Sequence, residues 1–384
     1  MAIFLDHNAT APLDARALEV MLPWLQGTHG NPSSIHRYGR KARAALDIAR
    51  AQVAALVNVQ PVQVVFTGGG TEADNLALKG VCSGTPDGRV LVSAIEHAAV
   101  MGPAEALAAQ GWQVQYLPVD SEGRVDPAAF EKLLDGNVRL VSVMLANNET
   151  GALQDVRALA AQAQKHGVWV HTDAIQAAGK IAVDFQALGV NLMTLSAHKL
   201  NGPRGVGALI VDKRMDIAPQ VVGGGQEQGR RGGTENLAGI IGFGKAAELA
   251  RAELDTRMRR MRALRDHLET GLKRIPGIRI FSARAERLPN TVQIGVAGLE
   301  GEWVVMQLDK RGIAVSSGSA CHSGSGKPSH VLRAMGVDAA SARSAVRISL
   351  GQDNTEDEMQ ALLAALTAIS SEHRSTGMSM METP

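Results

Sequence analysis

The chain has 384 residues, 45% of them hydrophobic and 20% charged, which suits a globular protein long enough for two domains and a large core. A formal net charge of +1 argues against a nucleic-acid surface, which shows as a basic excess, and no stretch approaches the roughly 20 apolar residues of a membrane span. Only two cysteines, Cys82 and Cys321, argue against a disulfide framework and, with no basic or long apolar run near Met1, make a cytoplasmic location the expectation.

Short apolar, β-branched runs alternate with Ala-rich amphipathic runs through the first two-thirds of the chain. Strands are predicted at 62–67, 89–93, 113–118, 140–145, 168–172, 192–195 and 206–211. Helices are predicted at 37–57, 72–82, 100–110, 127–134 and 156–166. This alternation predicts an α/β fold with a mostly parallel, doubly wound sheet. A charged helix over 239–274 reads as the connector into a second, smaller α/β domain, and from 370 the tail lacks an apolar period and reads as mobile.

Several predicted strands end in polar residues that suit one chemistry. Asp173 closes Val168-Trp169-Val170-His171-Thr172-Asp173, and Lys199 follows a strand in Leu195-Ser196-Ala197-His198-Lys199. A lysine amine that forms a Schiff base, with a carboxylate that keeps a pyridine nitrogen protonated, is what pyridoxal phosphate (PLP) requires. Taken alone, Asp173 reads more readily as a strand-end cap and Lys199 as a solvated loop lysine, so the surrounding residues decide.

Phe66-Thr67-Gly68-Gly69-Gly70-Thr71-Glu72 places a glycine turn between a strand and a helix, where backbone N–H groups and the Thr71 hydroxyl suit a phosphate. The turn matches neither the Walker nor the dinucleotide pattern. His97, Asn148 and Gln176 also follow predicted strands: His97 suits ring stacking and proton transfer, and the two amides suit a ring hydroxyl. Cys321 lies in Ser317-Gly318-Ser319-Ala320-Cys321-His322-Ser323-Gly324, among small residues and near His322, Lys327 and Arg333, a context that favours a reactive thiolate. Cys82 ends an apolar helix and reads as inert packing. No metal-ligand cluster is read.

These segments, with Leu5-Asp6-His7-Asn8-Ala9-Thr10, Gly30-Asn31-Pro32-Ser33-Ser34-Ile35-His36 and Asn147-Asn148-Glu149-Thr150-Gly151, resemble the cysteine desulfurases, the class V branch of the fold-type I PLP enzymes, over nearly the whole chain. The resemblance implies Lys199 as the Schiff-base lysine, Asp173 on the pyridine nitrogen, His97 on the ring, and Asn148 and Gln176 at the ring oxygen. It implies Gly70, Thr71, Ser196 and His198 at the phosphate, and Thr234, in Arg230-Arg231-Gly232-Gly233-Thr234, at the phosphate of a neighbouring subunit, hence a homodimer. Arg347 would clamp the substrate carboxylate. Cys321 would carry sulfur from L-cysteine as a persulfide, with L-alanine released, to an acceptor protein such as an iron–sulfur scaffold.

The implied organisation is an N-terminal segment, 1–15, packed on the small domain; a PLP domain, 16–255; a small domain with the cysteine loop, 256–369; and a tail, 370–384. His322 and Gly326-Lys327 depart from the usual pattern after the cysteine, and the acceptor stays open. Two rival readings remain: a class V aminotransferase or lyase in which Cys321 is incidental, and a non-catalytic sulfur carrier.

Overall fold

Strands buried at nearly every position need cover on both faces, and the inner strands of the central sheet are of this kind. The computed structural model describes residues 2–84, 88–318 and 328–381. It opens with β1 (Ile3–Phe4), α1 (Ala15–Gln26), α2 (Arg37–Leu56), β2 (Val64–Thr67) and α3 (Gly70–Val81). Next come β3 (Arg89–Ser93), α4 (Ala98–Ala109), β4 (Gln113–Leu117), α5 (Pro127–Leu133), β5 (Val138–Ser142), α6 (Val156–Lys165) and β6 (Trp169–Asp173). The large sheet closes with α7 (Phe185–Leu188), β7 (Leu192–Ser196) and β8 (Gly207–Val211).

Its order is β2-β8-β7-β6-β5-β3-β4. The strands β3 to β7 pair in parallel, while β8 runs antiparallel between β7 and β2. The carboxyl ends of β2, β3, β5, β6 and β7 therefore share one edge, where ligands bind in open α/β sheets. Each expected strand and helix of this region forms, with shifted ends. The run expected at 140–145 leaves the ladder after Ser142, yet it still tracks β6 through Val143 N–H to His171 O and Leu145 N–H to Asp173 O. Two apolar cores flank the sheet, one reaching Phe66, Phe243 and Ala246, the other holding Leu76, Val90 and Cys82.

The helix expected over 239–274 is instead two, α8 (Leu237–Ala252) and α9 (Leu254–Leu272). The first packs on α1 and α2 and the second against the last helix, so the two apolar faces need different directions. At the break, Glu253 accepts from Arg16 at 2.6 Å and from Arg257 at 2.5 Å.

The remaining elements are β9 (Ile278–Ile280), β10 (Thr291–Val296), α10 (Gly301–Asp309), β11 (Ile313–Ala314), β12 (Ser316–Ser317), α11 (His330–Ala334), α12 (Ala339–Arg343), β13 (Ala345–Ser349) and α13 (Glu356–Met381). They build an antiparallel sheet, β12-β13-β10-β9, over a third core that includes Leu268, Val292, Ile348 and Leu362. The N-terminal β1 joins this part of the molecule by pairing in parallel with β11, and Leu5 is buried in the same core. The tail expected to be mobile from 370 is helical to Met381. A helix already nucleated gains one hydrogen bond for each residue it orders and needs no apolar period to continue, and Ser370 Oγ donates to Pro276 O at 3.1 Å.

Candidate active site

Asp173 stands at the end of β6, buried, with its Oδ1 accepting the Ile175 amide at 2.8 Å. Burial pushes its carboxyl up to about 6, against the opposing pull of that hydrogen bond and of Lys199. Lys199 follows β7 in a short turn, half-buried. Its Nζ donates to the Asn8 carbonyl and, at 2.7 Å, to the Ala9 carbonyl. The two residues line one cavity of about 180 Å³ together with Gly70, Thr71, His97, Ala99, Ile175, Gln176, Ser196 and His198.

The glycine turn enters this cavity from β2. Gly68 N–H donates to Glu72 Oε2 at 2.7 Å, and the other oxygen of Glu72 accepts from Arg231 Nε at 2.8 Å, which ties the turn to the loop carrying Thr234. Gly69, the N-cap of α3, has no side chain to occupy the first N–H groups of the helix, an end that suits an anion. At Gly70 an added Cβ would lie 2.3 Å from Ile175 Cδ1, so a larger residue would fill the space beneath the turn.

His97 caps α4, its Nδ1 accepting the Ala99 amide at 3.1 Å, which leaves the proton of the neutral ring on Nε2. Burial, then Lys199, His330 and Arg347, depress its pKa to about 4. The ring is therefore neutral at physiological pH. It differs here from the expected shuttle titrating near neutrality: with Nδ1 taken by the Ala99 amide, the neutral ring presents an Nε2–H donor. His198, whose Nδ1 lies 3.2 Å from Thr10 Oγ1, is likewise depressed to about 4, first by burial and then by Lys199.

Three expected residues do not line this cavity. Asn148 is buried beside it and presents its carbonyl to Asn8 Nδ2 at 3.2 Å and to Arg347 Nη1 at 3.1 Å. Arg347, buried on β13, also donates to Asp6 Oδ1 at 2.8 Å, while its buried Nε–H has no partner among the described residues. Thr234 is exposed in the loop that follows Arg231 and Gly232.

Cys321, His322 and Lys327 lie outside the described residues. On either side of that stretch, Gly318 N–H donates to Ala345 O at 2.9 Å, and Ser329 Oγ donates to Glu149 Oε2 at 2.5 Å. Cys82 is buried in an apolar core, and burial pushes its thiol up to about 12, as inert packing requires.

Sequence reasoning missed a set of buried polar residues beneath the cavity. Asn8 joins Lys199, Gln176, Lys180, Thr291 and Asn290 through its backbone and amide. Asp74 is buried 3.6 Å from His171, its carboxyl pushed well above the usual carboxylate range first by burial and then by the nearby Asp173. The signal was faint: Lys180 is a lone cation in Gln176-Ala177-Ala178-Gly179-Lys180-Ile181-Ala182-Val183.

A family model, aminotransferase class-V, matches residues 3–362. A cysteine desulfurase IscS of Dictyoglomus turgidum is 42% identical over 96% of this chain and 94% of its own. A cysteine desulfurase of Cereibacter sphaeroides is 44% identical over 96% of this chain and 95% of its own. Among solved structures, a NifS-like protein superposes with a TM-score of 0.91 at 38% identity, over 97% of this chain and all of the other.

Proposed function

Because the chain belongs to the aminotransferase class-V family and, within it, to the cysteine desulfurases, we propose that the cavity at the sheet edge is where PLP sits and L-cysteine is desulfurated. The observation that carries this reading is the donor set of that one cavity: a buried carboxyl at Asp173, an amine at Lys199, a flat neutral ring at His97 and a glycine turn at an uncapped helix end.

That set fits PLP. A carboxyl pushed up by burial gains from a cation opposite it, as a protonated pyridine provides, and the α3 N-terminus suits a dianionic phosphate. When bound, PLP supplies an electron sink for charge developing at the substrate Cα. Lys199 would hold it covalently and, once released, take the Cα proton. The Asn8 and Ala9 carbonyls then offer that amine a resting place. Asp173 would keep the ring nitrogen protonated; Gly70, Thr71, Ser196 and His198 would hold the phosphate; His97 would stack; Asn148 and Gln176 would reach the ring oxygen. Arg347 would take the substrate carboxylate, its Nε–H, unpartnered among the described residues, adding a donor to the Nη2 now on Asp6. The Cys321 thiolate would take the sulfur, leaving a persulfide and L-alanine.

An acceptor protein, an iron–sulfur scaffold or another carrier, would then remove that sulfur. Among the described residues no helix is long and apolar enough to cross a membrane. A cytoplasmic setting suits a free thiol mechanism.

Asp173→Asn tests the carboxyl. The expected result is apoprotein that still binds PLP, more weakly by about 1–2 kcal/mol, with alanine release slowed roughly a hundredfold or more. Titrating apoprotein with PLP by visible absorbance, alongside turnover, checks both, and unchanged turnover removes the role given to Asp173.

The exposure of Thr234 fits a residue that serves a second copy. Sedimentation is expected to give a homodimer at micromolar concentration, and Thr234→Ala to weaken PLP retention by about 1 kcal/mol. A monomer with full activity would contradict the shared site.

A further inference from the structure

Lys180 is a lysine that the proposed chemistry does not use. Gly179, at φ +77°, turns the chain just before it, and Lys180 ends 6% exposed beneath the cavity. Buried lysines normally meet a carboxylate. This one has two amide oxygens: Nζ donates to Gln176 Oε1 at 2.8 Å and to Asn8 Oδ1 at 3.2 Å. Lys180 thereby links the side chains of Asn8 and Gln176, residues far apart in the chain.

The arrangement fixes which way an amide points. A lysine Nζ facing an amide takes the oxygen end, because its N–H groups need acceptors. With Oε1 held by Lys180, Gln176 is left with its NH₂ end, of which one hydrogen goes to the Asn8 carbonyl at 3.0 Å. The second hydrogen is available on a side chain that lines the cavity. Burial, then Lys199 and Arg347, hold the Lys180 pKa well below that of an ordinary lysine. Both protonation states still supply the two donors used here.

We propose that Lys180 is a positioning residue of this site, orienting Gln176 and Asn8 so that a hydrogen-bond donor faces the ring oxygen of the cofactor and the Asn8 carbonyl faces Lys199. This inference rests on the placement of PLP given above. Without Lys180 the Gln176 amide is free to turn its oxygen toward an oxygen of the ligand, and the Asn8 side chain loses one of its fixed partners.

The experiment compares Lys180→Met, Lys180→Gln and Gln176→Leu, alone and combined, as purified holoenzyme and after PLP removal. Readouts are PLP affinity, the position of the visible band of bound PLP, which responds to hydrogen bonding at the ring oxygen, and apoprotein melting. Lys180→Met is expected to weaken PLP roughly tenfold, the scale of a lost supporting partner in a cofactor shell, and to move the band in the same direction as Gln176→Leu. Added to Gln176→Leu, it is expected to change the band no further. Lys180→Gln, which can still donate to Oε1, is expected to restore most of the affinity.

If Lys180→Met lowers only the melting temperature and leaves affinity and band unchanged, Lys180 is merely structural and the inference falls. If Lys180→Met does not fold, Lys180→Gln decides the matter: the parental band supports the inference, and an equal loss with and without Gln176 overturns it. A Gln176→Leu protein with parental affinity and band would instead overturn the placement of the cofactor itself.

Discussion

Lys199→Ala is expected to abolish the visible absorbance of bound PLP and to slow alanine release by roughly 10²–10⁴-fold or more, the scale of one positioned proton-transfer group. Lys199 is half-buried and donates to two carbonyls of the N-terminal segment. Its removal therefore costs more stability than loss of a solvated loop lysine, about 1–2 kcal/mol for the two hydrogen bonds. The fold should survive, since none of the four apolar cores includes this side chain. Far-ultraviolet circular dichroism with an absorbance spectrum separates loss of the cofactor bond from unfolding. A folded Lys199→Ala enzyme that keeps its rate would remove PLP chemistry from this lysine.

What could be read from the residues alone was the sheet edge. β3, β6 and β7 are short, almost wholly buried strands; Asp173 ends β6, and His97 and Lys199 follow β3 and β7 within a few residues. Local pattern therefore located the cavity walls before any tertiary contact was known. Its floor depends on contacts between distant parts of the chain. Asn8 reaches Lys180 and Asn290, and no local period marks that meeting. The same limit explains the helix over 239–274: its composition is helical throughout, while the break at Glu253 comes from Arg16 and from the two cores that α8 and α9 serve. The protonation of His97 was likewise hidden, because burial and nearby cations set it.

The second large effect concerns Cys321. Serine there keeps the size and a polar atom but is a poor nucleophile toward sulfur. Cys321→Ser is expected to bind PLP and L-cysteine as the parent does, and to release alanine and sulfide at least roughly a hundredfold more slowly, as when a covalent catalyst is removed. Cys82→Ser should keep parental turnover per folded molecule, because its thiol is buried and held protonated. This pair also separates the rival readings: an aminotransferase or lyase with an incidental Cys321 would keep its rate, and a carrier without catalysis would release no alanine in any variant.

The most direct measurement is mass spectrometry of peptides from the enzyme quenched during turnover with L-cysteine and no added thiol. A gain of about 32 Da, one sulfur atom, is expected on the peptide holding Cys321, removable by reductant, with none on the peptide holding Cys82. Sulfur found only on Cys82, or on neither peptide while alanine accumulates, would contradict transfer through Cys321.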